Sequence, residues 1–283
     1  MAIYLGCPVW GLKAWVGPFF PAGAKQREFL SLYSRRLNTV EGNTTFYATP
    51  DVATVERWRD ETPPGFQFCF KFPQSISHHK RLRNAETETA EFLDRLARLN
   101  NRCGPAFLQL PPTFGPSNLP SLIAYLRSLP KTFRYAVEVR HPDFFAEPGE
   151  GALEAALREH GIARVLFDAR GLRSASPEDE ATATAQERKP DVPVRYTRSA
   201  PFAFVRYIAH PTFEANAGWL NVWAGRVAGW LGAGDEVFFF LHSPTDAISP
   251  LLAKDFHARV AALYPLPPWP EWVERKPQQS SLF

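Results

Sequence analysis

The chain has 283 residues, of which 45% are hydrophobic, so it can bury the core of one large domain. Its 32 basic and 29 acidic side chains leave a formal net charge of only +3, which excludes a global basic field for nucleic acid. The three cysteines include no Cys-x-x-Cys pair, and the chain has no leader-like start. No apolar run approaches the roughly 20 residues that are needed to cross a bilayer. These features predict a reduced cytoplasmic protein without a membrane partner.

Eight short apolar runs recur along the chain, and a loop or a helical pattern follows each of them. They are near-continuous rather than alternating, which is typical of parallel strands covered on both faces. The segments between them show a 3.6-residue period, as in Leu119, Leu122 and Leu126. This alternation predicts an α/β fold, a single (β/α)8 TIM-type barrel over residues 1–264. The runs occupy residues 3–7, 39–41, 66–71, 106–109, 135–138, 165–168, 204–206 and 237–242.

Two segments depart from this rhythm. Residues 169–200, after the sixth run, are polar and contain three prolines, and residues 177–180 could start a polar helix. In a barrel this insertion lies on the mouth side, where it is either a lid or binding loop or a solvated surface excursion. Residues 265–283 are rich in proline and tryptophan, which predicts a tail that wraps around the barrel rather than a further domain.

Seven of the eight runs end in a charged, amide or imidazole side chain. In a barrel the carboxyl ends of all strands meet at one mouth. We therefore expect these side chains to line one pocket, which is the main indication of function. They are Glu41, Lys71, Gln109, Glu138, Asp168, Arg206 and His242.

Three of these residues are carboxylates, namely Glu41, Glu138 and Asp168. Crowding of carboxylates raises the pKa of one, so that it can act as an acid while another stays ionised. Together with His242 they could also hold a divalent metal ion, although the sequence does not say which residues would be ligands. The alternative is a buried salt-bridge network neutralised by basic side chains. For the whole ring a functional pocket is favoured, because buried charge is costly.

Two further residues are candidates for proton transfer or nucleophilic chemistry. Lys71 lies between two phenylalanines, where desolvation could lower its pKa toward Schiff-base or general-base use, although a plain ion pair with Glu41 is the favoured alternative. His141 offers a proton near neutral pH, or else belongs to a capping turn before Asp143. The predicted catalytic residues are Glu41, Lys71, Glu138, Asp168 and His141.

The binding candidates combine anion recognition with aromatic stacking. Arg140 offers a planar fork to phosphate or carboxylate, and aromatic side chains near the mouth suit a sugar or a nucleobase, unless they simply anchor loops. We expect a small anionic or phosphorylated ligand. No Gly-x-Gly-x-x-Gly or phosphate-binding loop is present, so no nucleotide cofactor is expected. The predicted substrate-binding residues are Trp10, Asn43, Tyr47, His78, Gln109, Arg140, Arg206 and His242.

Several motifs resemble the YecE-like family, also called domain of unknown function 72. They are PFFP at 18–21, NTVE at 38–41, NTTFY at 43–47, FKFP at 70–73, ISH at 76–78, QLPPTF at 109–114 and VEVRHP at 137–142. The resemblance implies a TIM-type barrel and no particular reaction.

Two functions are left open by the sequence. The first is an enzyme, a hydrolase, lyase or isomerase that acts on a phosphorylated sugar or nucleic-acid fragment by carboxylate acid/base or metal-assisted chemistry. The second is a non-catalytic DNA-maintenance adaptor. It rests on residues 279–283, which resemble the Gln-x-x-Leu-Phe peptide that docks on the DNA sliding clamp, with Gln279, Leu282 and Phe283 as partner-binding residues. An apolar chain end packed on the barrel is the alternative explanation of that segment.

Overall fold

The computed structural model describes residues 2–270, and its backbone alternates β-strands with helices. Every paired strand is parallel to its neighbour. The strands are β1 (Ile3–Gly6), β2 (Thr39–Gly42), β3 (Gln67–Phe70), β4 (Ala106–Gln109), β5 (Tyr135–Glu138), β6 (Ala163–Asp168), β7 (Phe202–Ile208) and β8 (Glu236–His242).

The α-helices follow the strands and cover the outside of the sheet. Their apolar stripes supply the burial, as in α4, where Leu122 and Leu126 are buried at four-residue spacing. The helices are α1 (Phe29–Ser34), α2 (Val52–Asp60), α3 (Glu86–Ala97), α4 (Leu119–Ser128), α5 (Gly149–Glu159), α6 (Arg170–Arg173), α7 (Glu180–Arg188), α8 (Ala217–Gly232) and α9 (Ser249–Ala261).

The strands form two parallel sheets. One has six strands in the order β1-β8-β7-β6-β5-β4, and the other pairs β2 with β3. Isolated backbone hydrogen bonds connect them. Glu41 N–H donates to Cys7 O at 3.0 Å on one side, and Gly104 N–H donates to Phe68 O at 2.9 Å and Phe72 N–H to Phe107 O at 3.0 Å on the other. The predicted α/β fold with parallel strands is therefore confirmed, whereas the hydrogen-bonded ladder is not closed into a ring.

The two faces of the sheet have different surroundings. One face carries its own cluster of buried side chains, including Phe107, Phe204, Phe238 and Phe240, and we call it the inner face. Paired residues of parallel strands point to the same side. Arg206 pairs with Phe240 in β8, so it also lies on the inner face, just beyond this apolar layer. The other face packs against the helices in the main core.

The insertion at residues 169–200 is structured. Asp179 accepts a hydrogen bond from the Thr182 N–H at 2.9 Å and caps the start of α7, so the predicted polar helix is present. The Gln186 amide then donates to the Leu172 and Ala175 carbonyl oxygens at 2.9 and 2.8 Å. These contacts fix α7 against the segment that directly follows β6.

The proline-rich segment begins to cover the amino-terminal ends of the strands. Residues 265–270 line a cavity of about 470 Å³ together with Ile3 and Leu5 of β1. Trp269 packs edge-on against His257 of α9, with ring centroids 4.9 Å apart. The predicted partner-binding residues Gln279, Leu282 and Phe283 lie outside the described residues. Over residues 2–270, no helix is long and apolar enough to cross a membrane.

Candidate functional site

A cavity of about 780 Å³ opens at the carboxyl ends of the strands. We call it the strand-end cavity. Asn43 after β2, Lys71 after β3, Gln109 of β4, Arg206 of β7 and His242 of β8 line it. Helix α7 forms a further wall. The strand-end cavity therefore lies where the alternation of runs and polar ends predicts a pocket.

Arg206 is the centre of a buried ionic network beneath the cavity. Its Nε and Nη2 each donate to a different oxygen of Glu41 at 2.7 Å, and its Nη1 donates to Glu138. The carboxylates of Glu41 and Glu138 are at most 1% exposed, and Arg206 is 2% exposed. Bidentate geometry and full burial make this network rigid.

A second layer of polar groups completes the coordination of both glutamates. Asn43 Nδ2 and His242 Nε2 contact the two oxygens of Glu41 at 2.8 and 3.0 Å. Arg140 Nε donates to Glu138 Oε1 at 2.7 Å, while its Nη2 donates to Gln109 Oε1 at 2.7 Å. Five strand-end residues and two loop residues thus share one network.

The glutamates of this network are ionised at neutral pH. Burial by itself raises the pKa of Glu138, but the Arg206 and Arg140 guanidinium groups outweigh it and hold that pKa at about 2. Burial likewise opposes ionisation of Glu41, whose pKa Arg206 and His242 hold well below its usual range. A carboxylate with such a pKa is a weak base and cannot donate a proton at neutral pH.

Lys71 is a different kind of cation. Burial, followed by repulsion from Arg206, lowers the pKa of its amine to about 7. Its Nζ lies 3.7 Å from the centroid of the Phe46 ring. Within residues 2–270, no carboxylate oxygen lies within ion-pairing distance of this nitrogen, so the favoured ion pair with Glu41 is not formed.

The insertion contributes a second lysine that the sequence did not single out. Lys189 follows the last residue of α7 and lines the strand-end cavity beside Arg188. Burial, followed by repulsion from Arg206 and Arg140, lowers its pKa to about 8. Arg140 Nη1 also donates to the Arg188 carbonyl oxygen at 3.4 Å, which ties the insertion to the buried network. The only sequence signal for a cavity residue in this insertion was the predicted location of residues 169–200 on the mouth side of the barrel.

Two histidines near the network have lowered pKa values. Burial lowers the pKa of His242 despite its contact with Glu41. Burial and the adjacent Lys71 lower the pKa of His78 to about 4. His78 Nδ1 lies 2.8 Å from Ser77 Oγ, and its ring packs edge-on against Phe46 with centroids 5.1 Å apart. Phe46 therefore contacts both Lys71 and His78.

Glu41 and Glu138 lie beneath the strand-end cavity rather than in its lining, and three further predicted site residues do not line it either. Asp168 is paired with Tyr207, so its side chain points to the helix-covered face, where Trp223 Nε1 donates to it at 2.7 Å and Arg170 Nη2 at 2.8 Å. His141 accepts from the Asp143 N–H at 3.2 Å, as the capping-turn alternative predicted.

Trp10 is the third of these residues. Its ring packs edge-on against Trp58 and Phe68, at centroid distances of 5.3 and 6.3 Å, which fits the loop-anchoring alternative. Tyr47, by contrast, lines the cavity and is 75% exposed at its rim.

The donor chemistry of the site does not match a metal centre. Over residues 2–270, no three His, Cys, Asp or Glu side chains are grouped so that they could hold a metal ion. The oxygens of Glu41 and Glu138 are directed at guanidinium and amide groups instead.

Sequence comparisons identify relatives of the chain. A family profile described as protein of unknown function DUF72 matches residues 4–274. The chain is 41% identical over 282 residues to the UPF0759 protein YecE of Escherichia coli (strain K12), which covers 99% of this chain and 100% of that protein. It is 29% identical over 155 residues to the UPF0759 protein YunF of Bacillus subtilis (strain 168), covering 52% of this chain and 53% of that protein.

Solved structures share the fold. A DUF72 family protein from Enterococcus faecalis V583 superposes with a TM-score of 0.68 at 17% identity, covering 94% of this chain and 96% of that chain. A DUF72 family protein from Thermotoga maritima MSB8 superposes with a TM-score of 0.68 at 20% identity, covering 91% and 98%. Because the profile spans nearly the whole chain and YecE is similar over its full length, the protein belongs to the DUF72 family.

Proposed function

We propose that the strand-end cavity binds a small anionic ligand, a phosphorylated compound, and that the protein acts on it as an enzyme. The single observation that carries this proposal is the charge balance of the cavity. Arg206 and Arg140 are neutralised by Glu41 and Glu138. Glu180 and Asp246 also line the cavity, but within residues 2–270 neither Lys71 nor Lys189 forms an ion pair with a carboxylate.

The protonated amines of Lys71, which is buried, and of Lys189, which is half-buried, are disfavoured by desolvation and by the nearby guanidinium groups. Desolvation is the larger cause of their lowered pKa values, and repulsion from Arg206 is the next. A bound anion would reverse it, because a negative charge within a few ångströms stabilises the protonated form of both lysines. The exposed Arg188 adds a further cation on the same wall. Phosphate and carboxylate are the groups that match such a set of donors.

The network suggests how roles are divided. Glu41 and Glu138 fit a positioning role, because they hold Arg206 and Arg140 in place and cannot donate protons near neutral pH. The pKa of Lys71 is about 7, closer to neutral pH than the value of about 8 for Lys189, and we assign the chemistry to Lys71. The exposed Tyr47 at the rim suits a sugar or base ring of the ligand. The reaction class remains a hydrolase, lyase or isomerase of a phosphorylated substrate.

Thermal unfolding in inorganic phosphate tests this proposal. At about 100 times Kd, phosphate should stabilise the wild type by about 2.7 kcal/mol, and sodium chloride at the same ionic strength should not. Lys189→Met and Lys71→Met should each lose at least half of the phosphate effect. Lys131→Met is the matched control, because Lys131 is exposed before β5, at the opposite ends of the strands. A phosphate response no larger than that of chloride, or one that Lys189→Met leaves unchanged, contradicts the proposal.

We further propose that the eight strands form a closed TIM-type barrel in a cytoplasmic protein. The backbone bonds that bridge β1 to β2 and β3 to β4 support closure. Cys7, Cys69 and Cys103 are free thiols, which fits a reducing compartment. The sliding-clamp alternative rests on residues 279–283, and no contact made by residues 2–270 favours it.

A further inference from the structure

We propose that Lys71 is a covalent nucleophile, which forms an iminium with the carbonyl carbon of a phosphorylated aldehyde or ketone. This inference rests on the proposed function, because the same cavity must hold the phosphate group. It deepens that function by naming the electrophile and the bond that forms.

Lys71 is buried beside the cavity and forms no ion pair within residues 2–270, so its amine is available to react with a ligand. The residue is only 8% exposed, yet it lines the cavity. Its Nζ faces the Phe46 ring at 3.7 Å, and both nearby glutamates already direct their oxygens to arginines. Thr45 Oγ1 donates to the Lys71 carbonyl oxygen at 2.7 Å and fixes the backbone from which the side chain extends.

The charged groups facing the amine act in both directions. Arg206 and Arg140 oppose its protonation, and Glu138 and Glu41 favour it, but burial and the arginines prevail and hold the pKa at about 7. About half of the Lys71 amines are then neutral at pH 7, whereas an exposed lysine is neutral in only about one chain in a thousand or fewer. Only the neutral amine has the lone pair that attacks a carbonyl carbon.

Iminium formation also needs proton transfer, and His78 is placed for it. His78 packs on the same Phe46 ring as Lys71 and is neutral at pH 7. The Lys71 nitrogen forms a bond to the carbonyl carbon while the C=O π electrons move to oxygen, giving a carbinolamine. The nitrogen passes one proton to the oxygen, solvent supplies a second proton to the same oxygen, and water leaves as the C=N⁺ bond forms. Imidazole can relay the first proton from nitrogen to oxygen.

The phosphate of such a substrate has its own partners in the cavity. Lys189 and Arg188 lie on the wall that α7 supplies. A compound with a carbonyl group and a phosphate group can therefore engage Lys71 with one end and the insertion with the other. Phosphate binding would increase the rate of iminium formation by holding the carbonyl next to the amine.

Reductive trapping tests the inference on the full-length wild-type protein. The protein is incubated at pH 7 with glycolaldehyde phosphate and sodium cyanoborohydride, which delivers hydride to the iminium carbon. Intact mass and peptide mapping then give the number and position of adducts. We expect one adduct per chain, on Lys71, formed at least tenfold faster than with glycolaldehyde, which lacks the phosphate. Lys71→Arg should abolish this adduct, His78→Gln should slow it, and Lys131→Arg should leave it unchanged.

Each outcome decides the inference. Peptide mapping uses the wild-type protein, so its result does not depend on whether a variant folds. An adduct on Lys189, or labelling spread over exposed lysines, overturns the inference. If inorganic phosphate still stabilises the protein but no Lys71 adduct forms, covalent chemistry is wrong and the proposed anion site survives. If phosphate fails to stabilise the protein as well, both are wrong.

Discussion

Two buried carboxylate clusters lie at strand ends of this protein, on opposite faces of the sheet. The inner cluster contains Glu41 and Glu138 beneath the strand-end cavity. The outer cluster contains Asp168, which receives hydrogen bonds from the Arg170 guanidinium and the Trp223 indole. Both sets of carboxylates are fully desolvated. They differ in what surrounds the ion pairs.

The outer cluster satisfies its own charge and faces helices, so it has nothing to offer a ligand. The inner cluster pairs both carboxylates and then adds Lys71 and Lys189 beside a large cavity. Lys71 is buried and Lys189 half-buried, and an unpaired, desolvated cation is unfavourable unless an anion binds beside it. The face on which a strand-end side chain lies therefore decides whether it faces the cavity or the helices.

The two clusters should differ most in the free energy of unfolding that is lost when the arginine bound to their carboxylates is replaced. Arg206→Met leaves two buried carboxylates without their main partner and should lower the free energy of unfolding by about 3–5 kcal/mol. Arg170→Met should lower it by only about 1 kcal/mol, because the Arg170 side chain is 39% exposed and Trp223 still donates to Asp168. Urea denaturation measures both. Equal losses would show that the two clusters have the same structural role.

Acid should weaken the inner cluster. The pKa of Glu138 is about 2 in the folded protein, below its ordinary value of 4.5, so its contribution to stability is present above about pH 4.5. It is lost as the pH falls toward 2 and amounts to about 3 kcal/mol. Urea midpoints measured between pH 5 and pH 2 should fall less steeply in Glu138→Gln. Parallel curves for the two proteins would contradict the assigned pairing.

Alkali should have the opposite effect through Lys71. Its folded pKa of about 7 lies below its ordinary value of 10.5, so its charge disfavours folding at neutral pH. As the pH rises above 7, the folded protein loses this proton before the unfolded chain does, and stability rises. Between pH 7 and pH 9 the gain should be about 2 kcal/mol larger in the wild type than in Lys71→Met. An identical pH dependence in both proteins would place Lys71 in an ordinary ion pair.

Substitution of an aromatic residue beside each cluster should give the smallest difference in stability. Trp223→Phe removes the indole donor from buried Asp168 and should destabilise the protein by about 1–2 kcal/mol. Tyr47→Ser should change stability by less than about 0.5 kcal/mol, because Tyr47 is 75% exposed. Thermal unfolding compares them. Comparable destabilisation by Tyr47→Ser would assign Tyr47 to packing rather than to the ligand.

The sequence predicted the strands and most of the cavity, because each strand is a short apolar run with a polar end. It assigned Asp168 to the wrong face. Residues 165–167, which precede Asp168, are all apolar and show no alternation from which the inward-pointing positions could be predicted. The register with β7 and β8 settles the question, since Phe167 aligns with Arg206 and Asp168 with Tyr207. Such register depends on strand pairing, which a single sequence does not contain.

The sequence did not predict the contribution of Lys189 for a different reason. Lys189 lies in a polar insertion without a motif, and its position depends on the hydrogen bonds that fix α7 near β6. Those bonds join Gln186 to backbone carbonyl groups, and carbonyl groups carry no sequence signal. The sequence also left open which cation pairs with Glu41 and Glu138, because Lys71 and Arg206 both follow or end strands near the same glutamates.

One measurement tests most directly the claim that the inner cluster is a ligand site and the outer one is not. Crystals of the wild-type protein soaked in tungstate, a phosphate-like anion with strong anomalous scattering, would locate bound anions without prior assumptions. We expect a tungstate in the strand-end cavity within contact of Lys71 or Lys189, and none beside Asp168. An empty cavity, with tungstate bound only elsewhere on the protein, would contradict the claim.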